Sequence, residues 1–285
     1  MKKIKLLISG IPGNMAVNVA RHALADSRFE VLPDALTGPE ISEETCDVES
    51  TVFRLVRPER RREVIDKIKA HKRPVLVVDY THPGAVNENV DFFCRHRLPF
   101  VMGTTGGDRE KLVQTVEASS VAAVIAPNMG KQIVGFQAMM AYAADTFPGL
   151  FQGYRLEIHE SHQKGKADTS GTAKAMVAYF NRLGLDFEVE DICMERDPAR
   201  QKNQLGVPES YITGHGWHTY RLTSEDGTVV LEFKHDVNGR DVYARGTLDA
   251  AAFLADRVAG GSRARVYSMI DVLKGGGKHA SSEAV

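Results

Sequence analysis

The chain has 285 residues, 43% apolar and 26% charged, which is enough for a sizeable core in one large or two modest domains. Its 36 Lys and Arg nearly cancel its 37 Asp and Glu, so no global charge directs it to nucleic acid or a membrane surface. No apolar run approaches the roughly 18 residues that span a bilayer, and the three cysteines, Cys46, Cys94 and Cys193, form neither a metal-ligand pattern nor a disulfide framework.

A reducing cytoplasm is the default expectation. Met1-Lys2-Lys3 opens like a signal peptide, but the apolar run 4–8 is short, is interrupted by Lys5 and flows straight into a glycine loop.

Lys3–Ser9 reads as a short strand that ends in Gly10-Ile11-Pro12-Gly13-Asn14-Met15, and a helical pattern follows with Met15, Val19, Ala20 and Leu24 on one face. Strand, glycine turn and helix in that order form the context of a dinucleotide loop. The glycines let the backbone approach a pyrophosphate, which then rests on the helix N-terminus. Position 15 holds Met, so the full three-glycine fingerprint is absent, and a tight turn that binds nothing is the plain alternative. Phe29–Leu36 reads as the second strand and runs into Thr37-Gly38. Asp34 falls early for the acid that holds adenosine ribose hydroxyls. The lack of an acid just after the strand leans towards NADPH, although no arginine stands there either.

Pro58 suits the first turn of a helix that continues through Val64, Ile65 and Ile68. Three apolar strands follow, Val75–Asp79, Pro99–Met102 and Val121–Ile125, separated by helical patterns at Val86–His96 and Asp108–Ser119. Alternating strands and helices imply a doubly wound parallel sheet. The strands end in Tyr80-Thr81-His82-Pro83-Gly84, Gly103-Thr104-Thr105-Gly106-Gly107 and Ala126-Pro127-Asn128-Met129-Gly130, the ends at which such sheets bind ligands.

After an apolar helix pattern at Lys131–Phe147 the rhythm changes. Tyr154–Ser161 alternates as a half-buried strand, and from Gly171 onward Ala173, Met176, Val177 and Phe180 recur at helical spacing. Between them a loop holds His162, Lys164, Lys166, Asp168 and Ser170-Gly171-Thr172. A basic loop feeding a helix N-terminus through Ser-Gly-Thr is an anion site, and His162 and Lys166 are groups suited to proton transfer. A strand-to-helix connection with solvated lysines is the plain alternative. Leu185–Arg196, Ile212–Leu222 and Thr228–Val237 read as strands of a second, mixed sheet, with a hairpin signal at Glu225-Asp226-Gly227. Ala244–Ala259 is helical, Arg265–Leu273 is a short helix or strand, and 275–285 is a frayed polar tail.

The expected class is therefore α/β: an N-terminal Rossmann-like doubly wound parallel sheet, plus a C-terminal α+β substrate domain with a mixed sheet. The boundaries are 1–130 for dinucleotide binding and 131–244 for substrate binding and catalysis, with part of 245–285 packing back on the first domain.

Taken together, these motifs resemble the dihydrodipicolinate reductase family, pyridine-nucleotide enzymes of the diaminopimelate branch of lysine synthesis. The resemblance runs from Gly10 to about Leu273. It lies in Gly10-x-x-Gly13-x-Met15, in Val78-Asp79-Tyr80-Thr81-His82-Pro83, in the 103–106 and 126–128 loops, and above all in Glu160-Ser161-His162-Gln163-Lys164-Gly165-Lys166-Ala167-Asp168 before Ser170-Gly171-Thr172-Ala173. Gln163 stands where the common family form has a second histidine, and Asp168-Thr169 is one residue shorter than the family's Asp-Ala-Pro. With Gly206-Val207-Pro208 and Arg240-Asp241-Val242-Tyr243-Ala244, this is similar to the plant-type branch. No transit peptide is visible, which points to a bacterial version or a mature form.

The resemblance implies NAD(P)H-dependent reduction of a cyclic imine dicarboxylate, 4-hydroxy-tetrahydrodipicolinate, to tetrahydrodipicolinate. His162 or Lys166 would supply the proton, and Gln163, Ser170, Gly171 and Thr172 would hold the substrate. NADPH or NADH would lie on Gly10, Gly13, Asn14, Met15, Thr37, Thr81, Gly103, Thr104, Thr105, Ala126, Pro127, Asn128 and Met129. His159, three residues before His162, falls on the opposite strand face, and no metal site is expected. Asp168 reads as a loop-fixing acceptor. The expected partners are the small dicarboxylate and further copies of the chain, as dimer or tetramer. Another two-domain dehydrogenase of an amino or keto acid would lack a reason for the 162–172 loop. A non-catalytic nucleotide sensor would have lost His162 or Lys166.

Overall fold

Strand runs of Val, Ile and Leu between amphipathic helices build the first of two units in the computed structural model, which describes residues 3–70 and 74–275. The chain divides into 1–131 with 241–285, and 132–240. Met1-Lys2, and the tail expected beyond Gly275, lie outside the described residues.

The first unit carries an eight-stranded sheet in the order β12-β7-β6-β5-β1-β2-β4-β3. Its strands are β1 (Ile4–Ser9), β2 (Phe29–Leu36), β3 (Thr45–Val48), β4 (Thr51–Val56), β5 (Val75–Asp79), β6 (Phe100–Met102), β7 (Ala122–Ile125) and β12 (Arg265–Tyr267). All pair in parallel except β3 with β4, an antiparallel hairpin at the edge. The sequence reading passed over this hairpin, because β3 is short and mostly polar.

Helices α1 (Asn14–Ala25), α2 (Pro58–Ala70), α3 (Val86–Arg95), α4 (Arg109–Glu117), α8 (Asp241–Ala259) and α9 (Met269–Gly275) complete the unit. Leu7, Val77, Phe93 and Phe100 lie in its core with no exposure, as continuous apolar strands require when both sheet faces are covered. Chain order reverses at β1, which lies between β5 and β2, and the β1 end opens at that switch point.

The second unit has a four-stranded sheet in the order β11-β10-β8-β9. It comprises β8 (Arg155–His162), β9 (Cys193–Glu195), β10 (His215–Thr223) and β11 (Val230–Asn238), with α5 (Lys131–Thr146), α6 (Gly171–Arg182) and the single turn α7 (Pro198–Arg200). β8 pairs with β9 in parallel, and the other pairs are antiparallel. Two expectations need correction. Leu185–Arg196 is a strand only at Cys193–Glu195, because a short 3-10 turn at Val189–Asp191 interrupts it. β8 runs through His162, so that residue ends a strand and is buried at 9% exposure, not carried in the loop.

Alternation along the strands divides one sheet face into two zones. Leu156 and Ile158 of β8, and Tyr220 and Leu222 of β10, pack with Met176 and Phe180 of α6. The next same-face positions along β8 are Glu160 and His162, so the apolar core passes directly into a row of buried titratable groups. Among the described residues, no helix is long and apolar enough to cross a membrane.

Candidate active site

In the first unit, the loop after β1 makes a cradle at the N-terminus of α1. A Cβ at Gly10 (φ 112°) would overlap the Tyr80 carbonyl, and one at Gly13 would crowd the Gly10 carbonyl, so both positions bring backbone close together. No side chain caps α1, which leaves its first N–H groups to a ligand. A cavity of about 660 Å³ here is lined by Gly10, Gly13, Asn14, Thr37 and Thr81, with Glu40 and Arg61. The Thr37 hydroxyl donates to the Ile11 carbonyl at 2.7 Å, and buried Arg61 donates to the Thr37 carbonyl at 2.6 Å and to Asn89 at 2.9 Å. Thr37 therefore shapes the loop with its side chain.

Asp79, fully buried at the end of β5, organises the neighbouring strand ends. It accepts from Ser9 and Thr81 hydroxyls at 2.9 Å, from Asn89 at 3.0 Å and from the Thr104 hydroxyl at 3.3 Å. Burial pushes its carboxyl above the usual range, and the hydroxyl and N–H donors oppose that shift. Gly103 faces the Tyr80 ring, Asn128 accepts the Gly130 N–H at 2.8 Å, and Ala126 and Met129 are buried. Of the expected coenzyme residues, half-buried Met15 and the whole of the 103–105 and 126–129 strand ends are not among the lining residues of the cavity. Asp34 is held by Arg54 through two bonds of 2.8 and 2.9 Å, whereas Glu40, which the sequence reading passed over, lines the cavity. The glycine cradle, the uncapped helix and the cavity fit a dinucleotide.

In the second unit, Glu160 is the hub. Its Oε2 accepts the Ser170 backbone N–H at 3.0 Å, and its Oε1 accepts Nη2 of Arg196 in a short ion pair. His162 Nδ1 and His218 Nε2 each lie 3.7 Å from a Glu160 oxygen. Strand register explains the row, because His218 of β10 stands opposite both Glu160 of β8 and His235 of β11. The His218 ring lies 5.0 Å from that of His162 and 4.6 Å from that of His235. His162 is held down at about 3 by burial first, and then by the nearby Arg196 and Lys166 cations. Burial also lowers His218 and His235, so the row is neutral near pH 7.

The loop then delivers α6. Ser170 is its N-cap, and its hydroxyl accepts the Thr172 N–H at 3.2 Å. With the Ser170 N–H on Glu160, the Gly171 N–H and the Thr172 hydroxyl remain for an anion, and space beside Gly171 is open. Gln163 and Lys166 are half-buried on the same loop, and Asp168 is exposed. His159 is exposed on the opposite strand face. Ligand atoms of Glu160, His162 and His218 fall within 4.8 Å of one another, a spacing a metal could use. The Glu160 oxygens are already engaged by the Arg196 guanidinium and the Ser170 N–H, which disfavours a further cation.

Sequence reasoning missed Glu160, Arg196, Gln201, His218 and His235 as site residues. Gln201, fully buried, donates to the His162 carbonyl at 2.7 Å. The period-2 relation of Glu160 to His162 was a usable signal, whereas the approach of Arg196 and His218 is tertiary.

Models of the dihydrodipicolinate reductase N-terminus and C-terminus match residues 4–129 and 133–273. The chain is 44% identical over 271 residues to a probable 4-hydroxy-tetrahydrodipicolinate reductase 2, chloroplastic, of Oryza sativa subsp. japonica, covering 95% of this chain and 83% of that protein. It is 42% identical to the chloroplastic 4-hydroxy-tetrahydrodipicolinate reductase 2 of Arabidopsis thaliana, covering 96% and 78%. Identity to the 4-hydroxy-tetrahydrodipicolinate reductase of Herminiimonas arsenicoxydans is 27%, covering 96% and 99%. The dipicolinate-bound dihydrodipicolinate reductase of Paenisporosarcina sp. TG-14 shares the fold, with a TM-score of 0.65 at 18% identity over 94% of this chain and 98% of that one.

Proposed function

The chain belongs to the dihydrodipicolinate reductase family, on its plant-like branch, and we infer from this that it is a 4-hydroxy-tetrahydrodipicolinate reductase. It uses NADPH or NADH to form tetrahydrodipicolinate in the diaminopimelate route to lysine. The observation that carries the reading is the grouping of His162, the Lys166 loop and the Ser170-capped N-terminus of α6 around Glu160.

We propose that unit 1 holds the coenzyme through Gly10, Gly13, Asn14, Met15, Thr37 and Thr81, with the 103–105 and 126–129 strand ends beside the nicotinamide. When bound, the reduced nicotinamide supplies a hydride. Unit 2 does the rest. The Gly171 N–H and Thr172 hydroxyl hold one carboxylate against the positive end of α6, with Ser170 shaping the turn and Gln163 donating a hydrogen bond. The Lys166 ammonium faces the dianion and stabilises negative charge as it develops. His162, neutral at rest mainly through burial, or Lys166 supplies the proton that completes reduction, and the substrate's carboxylates favour protonation of His162 by offsetting the Arg196 and Lys166 cations. We further propose a homo-oligomer, dimer or tetramer, acting in the cytoplasm.

The test is NAD(P)H oxidation with the dicarboxylate generated in situ by its synthase. Turnover that depends on the synthase product supports the reading. Coenzyme binding without turnover overturns it.

A further inference from the structure

We propose that Arg196 is a positioning residue for this reduction: it shapes the loop that carries Lys166 and keeps the charge of Glu160 from acting on His162, without touching a reacting atom. The inference rests on the activity inferred above.

Arg196 reaches across from the end of β9 with all three nitrogens of its planar fork engaged. Its Nε donates to the Lys166 carbonyl at 2.8 Å, its Nη1 to the Glu195 carbonyl at 3.1 Å, and its Nη2 to Glu160 and to the Asp168 carbonyl at 3.5 Å. Two carbonyls of the loop are thereby fixed relative to β8. The loop's own backbone bond is the Lys166 N–H to the Gln163 carbonyl at 3.0 Å, and Gln201 holds the His162 carbonyl from the same 194–201 segment. A guanidinium can do this because its donors diverge in one rigid plane, whereas a lysine offers a point charge.

The second effect is electrostatic. Glu160, Lys166 and Arg196 are the charged groups around His162, and His215, His218 and His235 are the neighbouring imidazoles. A buried carboxylate 3.7 Å from His162 Nδ1 would favour the protonated ring, and the Arg196 pair cancels that pull. Burial already disfavours the protonated ring, and with Glu160 offset by Arg196 the incoming dianion is the negative charge that favours it, so proton uptake is tied to substrate entry.

The experiment compares the parent with Arg196→Gln, Arg196→Lys and the Glu160→Gln/Arg196→Gln double variant. Substrate KM in Arg196→Gln should rise by at least about tenfold, a loss near 1.4 kcal/mol, while the NADPH Kd holds. Arg196→Lys should restore little of the loss, and added guanidinium should restore part of it. The double variant leaves no unpaired buried charge and should fold even where the single one does not. It should still show the raised KM, because the Lys166 tether is gone. NMR titration of His162 in the free protein should move upward in Arg196→Gln, a readout that needs no turnover. A parent that fails to turn over counts against the activity, and the titration still decides the role of Arg196. Parental KM in the double variant, or a His162 titration unmoved in Arg196→Gln, overturns the inference.

Discussion

Glu160 accepts the backbone N–H of Ser170 at 3.0 Å, so the end of β8 is tied to the start of α6. The Ser170 hydroxyl in turn takes the Thr172 N–H, which leaves the Thr172 hydroxyl and the Gly171 N–H to meet a carboxylate. Thr172→Val should therefore raise the substrate KM by about tenfold, the order of one charge-assisted hydrogen bond. Coenzyme affinity should not change. A fall in coenzyme affinity would assign this helix end to the other ligand.

Gly216 of β10 stands opposite His162 in the strand register, and a Cβ there would meet His162 Nε2 at 3.2 Å and Cδ2 at 3.4 Å. The ring must give by a few tenths of an ångström. Gly216→Ala should lower kcat by about tenfold, in keeping with the cost of small misplacements at a reacting group. The NADPH Kd should match the parent. An unchanged kcat would mean that the ring position is not critical.

The histidine row makes unit 2 acid-sensitive. Folding holds His162, His215, His218 and His235 below the ordinary 6.5, mainly through burial, so the unfolded chain binds protons that the folded one does not. Their contribution is complete above pH 6.5 and is lost as pH falls towards about 3, where His162 titrates. The slope is about 1.4 kcal/mol per pH unit for each histidine fully uncharged in the fold. Urea midpoints followed by Trp217, the chain's one tryptophan, should fall between pH 7 and 5. A flat midpoint over that window would contradict the neutral row.

The sequence carried most of the frame, because β5, β6 and β7 rest on continuous apolar runs, β1 on one broken only at Lys5, and the Gly10–Met15 turn opens a helix as its pattern requires. The 160–173 signature was legible for the same reason: strand alternation and helix spacing abut there, with a charged loop between. Arg196 was not legible. It lies 36 residues from Glu160, in a segment whose strand is only Cys193–Glu195, and local periodicity says nothing of such a contact. His218 and His235 carried a visible alternation, but their meeting depends on register across three strands.

Coenzyme choice turns on the end of β2. Asp34 is occupied by Arg54, so the parent should use NADPH at least as well as NADH. Glu40 lines the cavity, and Glu40→Gln should shift the ratio of kcat/KM values further towards NADPH by removing a charge that repels phosphate. A parental preference for NADH above about tenfold, some 1.4 kcal/mol, would contradict this account and implicate Glu40 itself.

The central claim is that His162 and Lys166 serve turnover and not coenzyme binding. Lys166 is half-buried in the loop, and its removal should leave stability nearly unchanged, whereas His162 is buried and its replacement should cost some stability. The direct measurement is steady-state NADPH oxidation by Lys166→Ala and His162→Gln with the synthase-generated dicarboxylate, alongside NADPH titration of each. Lys166→Ala should lower kcat and raise the substrate KM together, and His162→Gln should act mainly on kcat, with losses of about 10²–10⁴ for a missing proton donor. Both should bind NADPH as the parent does. Near-parental kcat in both variants would remove the proton-donor role from these two residues and contradict the account.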